Sequence, residues 1–182
     1  LKTSTSNDFI KSFVSQWLHI RHLADIMPDP RLINFTENDR RNLEAELERL
    51  FSEILRKNRP VSDFIAPDFV FTSENVAKKI YGFDKWTEKA KKDSITRVSL
   101  ERGGRHGGVI GSAGVLMATA NGVDTQPVLR GVWMLENILG NPPPPPPDAV
   151  PAITPDTRGA ETIRDLLEAH TADLKCAGCH KM

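Results

Sequence analysis

The sequence lacks the features that would tie it to a highly charged or membrane partner. Its 24 lysines and arginines balance 24 aspartates and glutamates. No net charge would therefore draw the chain to a polyanion, and we expect no nucleic-acid partner. The longest weakly polar run, residues 109–120, is well short of the roughly 20 apolar residues that a membrane-spanning helix needs. The sequence therefore predicts no membrane span.

Cysteine is nearly absent as well, and its placement is informative. The chain has 2 cysteines, and both fall in the motif Cys176-Ala177-Gly178-Cys179-His180. In C-x-x-C-H, two thiols three positions apart reach the two vinyl groups of one haem, and the adjacent histidine binds the iron. We therefore predict haem c as the cofactor, with Cys176 and Cys179 as the thioether attachment points and His180 as an axial iron ligand.

Three other chemistries compete for a pair of cysteines at this spacing. A zinc site needs a second pair of ligands with matching spacing, and the chain has no further cysteine to supply one. A thioredoxin-like dithiol would follow a strand in a βαβ pattern, which the sequence does not show. A structural disulfide is the third alternative. The histidine directly after the second cysteine favours haem.

The second axial ligand of the iron is not evident in the sequence. Met182 lies two residues after His180, a reach of about 7 Å at full extension, so it cannot pass around the haem edge to the opposite face. We expect residues beyond Met182, or a partner chain, to complete the haem pocket. His170 precedes the motif on a semi-apolar helical face and is a weaker candidate for a haem contact. A partly buried structural histidine is the alternative.

Hydrophobic periodicity predicts a mainly α fold: a helical body, a polyproline spacer, and a helix that leads into the haem motif. We expect four segments, a helical domain at 1–94, a small helical segment packed on it at 95–141, a proline-rich linker at 142–155 and the start of a haem domain at 156–182. Helices are predicted near residues 7–24, 37–57, 74–81, 112–120, 125–139 and 160–174, with short strands near 69–71 and 95–100 and a surface segment at 83–94. Trp17 and Trp133 are expected in the core. The apolar stripe of the first helix comprises Ile10, Phe13, Val14, Trp17, Arg21 and Ala24, and that of the helix at 125–139 comprises Val128, Val132, Leu135 and Leu139.

Other polar groups are weaker candidates for a functional site. His19 and His22 have a spacing that can hold a metal, but the helical wheel places both opposite Trp17, so we expect a solvated pair. The glycine-rich segment 102–108 resembles an anion-binding loop, but without the Lys-Ser/Thr end of a phosphate loop we interpret it as a flexible turn. Carboxylates on helical faces are expected to be solvated; they include Asp8, Glu44, Glu46, Glu48 and Glu53.

The segment 124–147 resembles a block of the large exported cytochrome c-containing proteins of planctomycete-type bacteria. That block reads S-P-V-x-R-G-x-W-x-L-E-x-x-L-G-x-P-P-P-P-P-P, and a helix with a histidine and then C-x-x-C-H-x-x-M-D-P follow it. Gln126 stands where the block has serine, and Met182 follows His180 one position early. The matching residues are Pro127, Val128, Arg130, Gly131, Trp133, Leu135, Glu136, Leu139, Gly140, the proline run, His170, Cys176, Cys179 and His180, with Trp17-Leu18, Phe71-Thr72, Ala77 and Tyr81-Gly82 upstream.

This resemblance implies several domains of uncharacterised function, an attached haem and export from the cytoplasm. We therefore expect an electron-transfer or redox subunit in a periplasmic or otherwise extracytoplasmic location, working with a redox partner protein. The alternatives are a haem enzyme with an open sixth coordination position and a surface interaction module in which the haem is ancillary.

Overall fold

The structure, a computed structural model, describes residues 3–84, 86, 94–101, 106–144 and 162–172. Within 162–172, the side chains of Leu166 and of residues 169–172 are not described. The chain divides into two compact units, Leu1–Pro143 and Pro144–Met182. The described part is mainly α with a small two-stranded sheet, as the periodicity predicts.

The first predicted helix is broken into two elements. Helix α1 spans Ser4–Trp17, and a 3₁₀ helix follows at Ile20–Asp25. Between them His19 adopts a left-handed conformation with φ of 57°, which ends the α-helical hydrogen bonding. The prediction of one continuous helix to Ala24 is therefore wrong. The break turns Leu18, Ile20 and Leu23 into the core, whereas the predicted stripe residues Arg21 and Ala24 are exposed.

Helix α2, Glu37–Arg56, is the central element of the first unit and lies where the sequence predicts it. It begins with a capping box: Thr36 Oγ1 accepts a hydrogen bond from Asp39 N, and the Asp39 carboxylate accepts one from Thr36 N. Its buried face packs against α1, and it contributes Leu43, Leu47, Leu50 and Ile54 to the core.

Two short strands follow α2, and the first of them packs against it. After a 3₁₀ turn at Val61–Phe64, strand β1 at Phe69–Thr72 pairs antiparallel with β2 at Thr96–Ser99. Helix α3, Glu74–Lys79, follows β1 and begins where the Ser73 hydroxyl accepts a hydrogen bond from Val76 N. These elements confirm the predicted strands, while most of residues 83–94, predicted as surface, lie outside the described residues.

The last two helices of this unit are α4, Ala113–Ala118, and α5, Pro127–Asn137. Both are confirmed, but the predicted buried face of α5 is only partly so: Val132 and Leu135 are half-buried, whereas Val128 and Leu139 are 54% and 63% exposed. Trp133 is buried, as expected, and its indole Nε1 donates to the Leu18 carbonyl at 3.2 Å. The Trp17 indole in turn donates to the Asn137 carbonyl at 2.8 Å. This pair of bonds ties α5 to the end of α1.

The segment predicted as a flexible turn is tightly packed at its described end. Gly107 and Gly108 are buried and have φ of 92° and 65°. A Cβ on Gly108 would lie 2.5 Å from the Ile65 carbonyl oxygen, so only glycine fits there. The prediction of a flexible turn is therefore wrong at these two glycines, because Gly108 packs against backbone and Gly107 against the Leu100 side chain and the Phe69 carbonyl.

In the second unit, helix α6 at Ile163–Ala172 confirms most of the last predicted helix. Pro142–Pro144 are exposed and lie in neither helix nor strand, whereas residues 145–147 lie outside the described residues. The polyproline II spacer therefore stays a prediction, as do the four predicted segment boundaries. Within the part of the chain that the structure describes, no helix is long and apolar enough to cross a membrane.

Candidate functional site

The predicted haem motif lies outside the residues that the structure describes. This applies to Cys176, Cys179 and His180, so their role in haem attachment stays a prediction. The described chain in front of them is helix α6. The Thr162 hydroxyl accepts a hydrogen bond from Asp165 N, and the Asp165 carboxylate accepts one from Thr162 N. This reciprocal cap fixes where the helix begins.

His170, the weaker haem-adjacent candidate, lies in α6. Its side chain is not among those described, so a contact with haem is untested. His170 is six positions before Cys176 in sequence, and α6 is described as far as Ala172.

The histidine pair near the N-terminus is exposed, as expected. His19 lies at the break after α1, and His22 Nδ1 lies 3.4 Å from the Asp25 carboxylate. Both His22 and Asp25 are largely in solvent. Over the described ranges, no group of three or more histidine, cysteine, aspartate or glutamate side chains is placed to hold a metal ion.

Arg102 and Arg105 of the glycine-rich segment lie outside the described residues. His106 does not face open solvent: its ring makes edge contacts with Tyr81 and Phe83, with ring centroids 5.4 and 5.2 Å apart. This histidine therefore packs against the end of α3 rather than projecting from a loop, which favours a structural role.

A carboxylate predicted to be solvated is buried in the core. Glu46 on α2 is 4% exposed, and its Oε2 accepts a hydrogen bond from the Tyr81 hydroxyl at 2.8 Å. Burial raises the pKa of Glu46 to about 8, although the Thr72 and Tyr81 hydroxyls favour its charged form. The expectation of a solvated carboxylate is wrong here.

Tyr81 links this carboxyl to a third element. Its oxygen accepts a hydrogen bond from Ala113 N at 3.1 Å, at the start of α4. Burial raises the pKa of Tyr81 well above its usual value, and the neighbouring Glu46 adds to the rise. A cavity of about 10 Å³ adjoins the pair and is also lined by Ser112. At roughly the volume that one water molecule needs, it is too small for a substrate.

Sequence periodicity contains the signal that would have found Glu46. It stands three residues after Leu43 and four before Leu50, so it lies on the same helical stripe as the buried leucines. A glutamate on such a stripe is buried when other elements of the core cover that face of the helix. The relevant partner, Tyr81, is the single tyrosine of the chain.

A larger pocket opens between α4 and the loops before α2 and α5. Its volume is about 290 Å³, and its wall is mostly apolar. The loops that form it are held together where Asp29 N donates to the Gly122 carbonyl at 3.0 Å. The lining includes Ile33, Phe35, Leu43, Leu116, Met117 and Val123.

Arg130 of α5 provides a positive charge in the wall of this pocket. Its Nε donates to Thr119 Oγ1 at 3.3 Å, and its Nη2 donates to Thr125 Oγ1 at 3.1 Å. Two hydroxyls therefore orient the guanidinium, and among the described residues no carboxylate forms an ion pair with it. Such an arrangement can bind an anion.

Comparison with known families places two domain models on the chain. Residues 1–83 match the PSD4 family model, whose description is protein of unknown function (DUF1592). Residues 106–182 match the PSCyt3 family model, whose description is protein of unknown function (DUF1588). No curated protein and no solved structure matches the chain. The two matches leave only residues 84–105 uncovered, and both models describe uncharacterised domains found in planctomycete-type cytochrome c-containing proteins.

Proposed function

We propose that this chain is the haem c-binding part of an exported redox protein and takes part in electron transfer. The observation that carries the proposal is the C-x-x-C-H motif, which uses both cysteines of the chain. The family comparisons support the proposal, because both matched domain families occur in cytochrome c-containing proteins.

The donor set fits haem c by its chemistry. The Cys176 and Cys179 thiols would each form a thioether, and the His180 imidazole would bind the iron. Bound haem supplies one-electron redox chemistry. The polypeptide would hold the group covalently, fix one axial ligand, and set its potential through burial and through the second ligand.

Two further features support this proposal. No third cysteine exists in the chain to build a four-cysteine zinc site with the motif. A capped helix, α6, leads towards the motif in the chain. Because thioether attachment takes place outside the cytoplasm, the same proposal implies a periplasmic or otherwise extracytoplasmic location, and a redox partner protein.

The test is to export the full chain in a bacterial host that carries a cytochrome c maturation system. We expect haem-stained protein that survives denaturing electrophoresis, a pyridine haemochrome spectrum of c type, and a reversible one-electron wave in voltammetry. Replacing either cysteine, Cys176→Ser or Cys179→Ser, should abolish two-thioether attachment. Met182→Leu is the matched control, because it alters the same terminal segment without removing a proposed ligand.

Colourless wild-type protein would contradict the proposal, as would a mass spectrum showing the two sulfurs bridged to each other. Zinc bound in stoichiometric amount to Cys176 and Cys179 would also contradict it. Haem that attaches but shows no reversible electron transfer would retain the cofactor assignment and overturn the electron-transfer role.

A further inference from the structure

The pocket beside Arg130 has the properties of a site for a small ligand with two chemically different ends. It lies wholly within the first unit, so its description does not depend on the haem motif. Most of its wall is apolar, and this part, which includes Phe35, Leu43 and Met117, is called the apolar chamber. The wall also includes Arg130, whose guanidinium is oriented by the hydroxyls of Thr119 and Thr125.

The charge of Arg130 is the informative feature. A guanidinium is always protonated and carries five N–H donors, of which the two threonine hydroxyls take two. Some arginines elsewhere in the described unit pair with carboxylates, for example Arg40 with Glu44 and Arg59 with Asp63, whereas Arg21 at the surface bonds to a hydroxyl. Arg130 forms no such pair in the described ranges, although it is half-buried. A ligand carboxylate would satisfy the remaining donors.

The Thr119 hydroxyl is itself held in place. Thr119 follows the last residue of α4, and its hydroxyl donates to the Val115 carbonyl at 2.9 Å, so its lone pairs remain for the Arg130 Nε–H. The guanidinium is therefore fixed by groups that accept from it without neutralising it. This arrangement is preorganised to bind an anion, because little side-chain freedom remains to be lost on binding.

We propose that this pocket binds a small amphipathic carboxylate, a medium-chain fatty acid being the simplest member of the class. The hydrocarbon would occupy the apolar chamber, and the carboxylate would form a charge-assisted, two-bonded pair with Arg130. A fork of parallel N–H donors matches the two oxygens of a carboxylate.

The volume of the pocket limits the ligand to a small molecule. At about 290 Å³ it is close to the lower end of the ~300–1,000 Å³ of small-molecule pockets. Octanoate, with ten non-hydrogen atoms, is the probe chosen from this class. Asp124 also lines the pocket but is exposed, so it disfavours a second negative charge on the ligand without blocking the first. The site therefore suits a monocarboxylate.

The experiment is isothermal titration of the full chain with octanoate, octylammonium and 1-octanol, which share one hydrocarbon and differ in charge. We expect octanoate to bind with a dissociation constant of about 0.1–1 mM, a range that ten well-placed atoms can reach. Octylammonium should not bind measurably, and 1-octanol should bind at least about tenfold more weakly than octanoate, since charge-assisted bonds are roughly twice as strong as neutral ones.

Two variants locate the site. Arg130→Gln should weaken octanoate binding about tenfold or more and leave the affinity for 1-octanol unchanged. Val123→Trp changes an exposed lining residue, so it should obstruct the pocket without disturbing the core. The matched control is Arg21→Gln, because the Arg21 Nε also donates to a hydroxyl, Ser15 Oγ at 3.2 Å, but lies away from the pocket lining.

Further measurements separate this site from the proposed haem. Octanoate should bind equally to the wild type and to the Cys176→Ser/Cys179→Ser double variant, and the methyl NMR signal of Met117 should shift in both. Binding lost in the double variant would place the ligand elsewhere and overturn the proposal. Equal binding of octanoate to Arg130→Gln, tight binding of octylammonium, or no binding to the wild type would each overturn it as well.

Discussion

The Tyr81 hydroxyl donates a hydrogen bond to Oε2 of Glu46 across 2.8 Å, 35 positions away in sequence. Since Tyr81 also accepts from Ala113 N, this one side chain joins the residues after α3 to α2 and α4. Burial raises the pKa of both acids, that of Glu46 to about 8. At neutral pH the carboxyl is therefore mainly protonated, and the pair is largely neutral inside the core.

The first prediction is that Glu46 makes the folded unit less stable as pH rises. Its pKa is about 8 when folded against an ordinary value of 4.5, so the folded state holds the proton more tightly. The stabilising effect of that proton is complete below pH 4.5 and is lost as pH rises towards 8. The expected slope is about 1.4 kcal/mol per pH unit in this window. Urea unfolding at several pH values measures it.

The matched variant is Glu46→Gln, which keeps the size and the hydrogen-bond acceptor but cannot ionise. Its free energy of unfolding should lack this slope between pH 5 and 8, so the difference from the wild type isolates the one carboxyl. An identical pH dependence in the two proteins would show that Glu46 is ionised, and therefore hydrated, in the folded state.

The position of α2 could be predicted from the sequence to within a residue. The reason is that its signals are local: Thr36 and Asp39 form the cap, and leucines recur at helical spacing. Burial of Glu46 followed from the same spacing, but the general rule that charged residues lie at the surface outweighed the pattern. Its stabilising partner, Tyr81, is distant in sequence and could not be identified.

The elements whose form depends on distant partners were predicted less well. No proline or glycine stands near His19 to indicate the break after α1. The break lies next to Leu18, whose carbonyl accepts a hydrogen bond from the distant Trp133. Val128 and Leu139, which the periodicity of this helix predicts as buried, are exposed, because Trp133 of α5 docks against the end of α1. Tertiary packing overrides local propensity in both places.

The two candidate sites also differ in how well the sequence predicts them. A haem attachment motif is contained within five consecutive residues, so the sequence alone predicts it at Cys176 and His180. The pocket beside Arg130 combines α4, α5 and two loops, of which one precedes α2. Its members are separated by about a hundred positions, and no spacing in the sequence indicates that they meet.

The second prediction concerns Asp39, which is fully buried at the start of α2. Burial raises its pKa, but the bonds from Lys79 and Thr36 and the Lys79 charge together lower it below 3.8. The stabilisation from its charged form is therefore present above pH 3.8 and is lost as pH falls through the lowered value. Asp39→Asn should cost about 1–3 kcal/mol at pH 7, because the partly buried Lys79 loses its charged hydrogen-bond partner.

Acid unfolding followed by circular dichroism measures both effects. Asp39→Asn should unfold at a lower urea concentration than the wild type at pH 7. Below pH 4 its free energy of unfolding should fall less steeply with decreasing pH. The control is Asp25→Asn, an exposed carboxylate beside His22, for which we expect a change within about 0.5 kcal/mol. A comparable effect of the two substitutions would mean that the buried network at α2 contributes no special stability.

The third prediction compares two glycines of opposite surroundings. Gly108 has φ of 65°, and an added Cβ would lie 2.5 Å from the Ile65 carbonyl oxygen and 2.7 Å from that of Phe64. Gly131 lies inside α5, and an added Cβ would meet nothing within 4 Å. Gly108→Ala should therefore destabilise the unit by about 3 kcal/mol, from left-handed strain together with a backbone clash. Gly131→Ala should stabilise it by about 0.5–1 kcal/mol, since alanine has the higher helix propensity.

Urea unfolding of the two variants beside the wild type checks both signs in one experiment. Amide hydrogen exchange at Val109, whose N–H donates to the Phe64 carbonyl at 2.8 Å, adds a local readout. That amide should exchange faster in Gly108→Ala and at the wild-type rate or more slowly in Gly131→Ala. A stable Gly108→Ala protein with unchanged exchange would mean that the 106–109 segment moves away from the Phe64–Ile65 backbone at little cost, and that the packing of this glycine is not what fixes the segment.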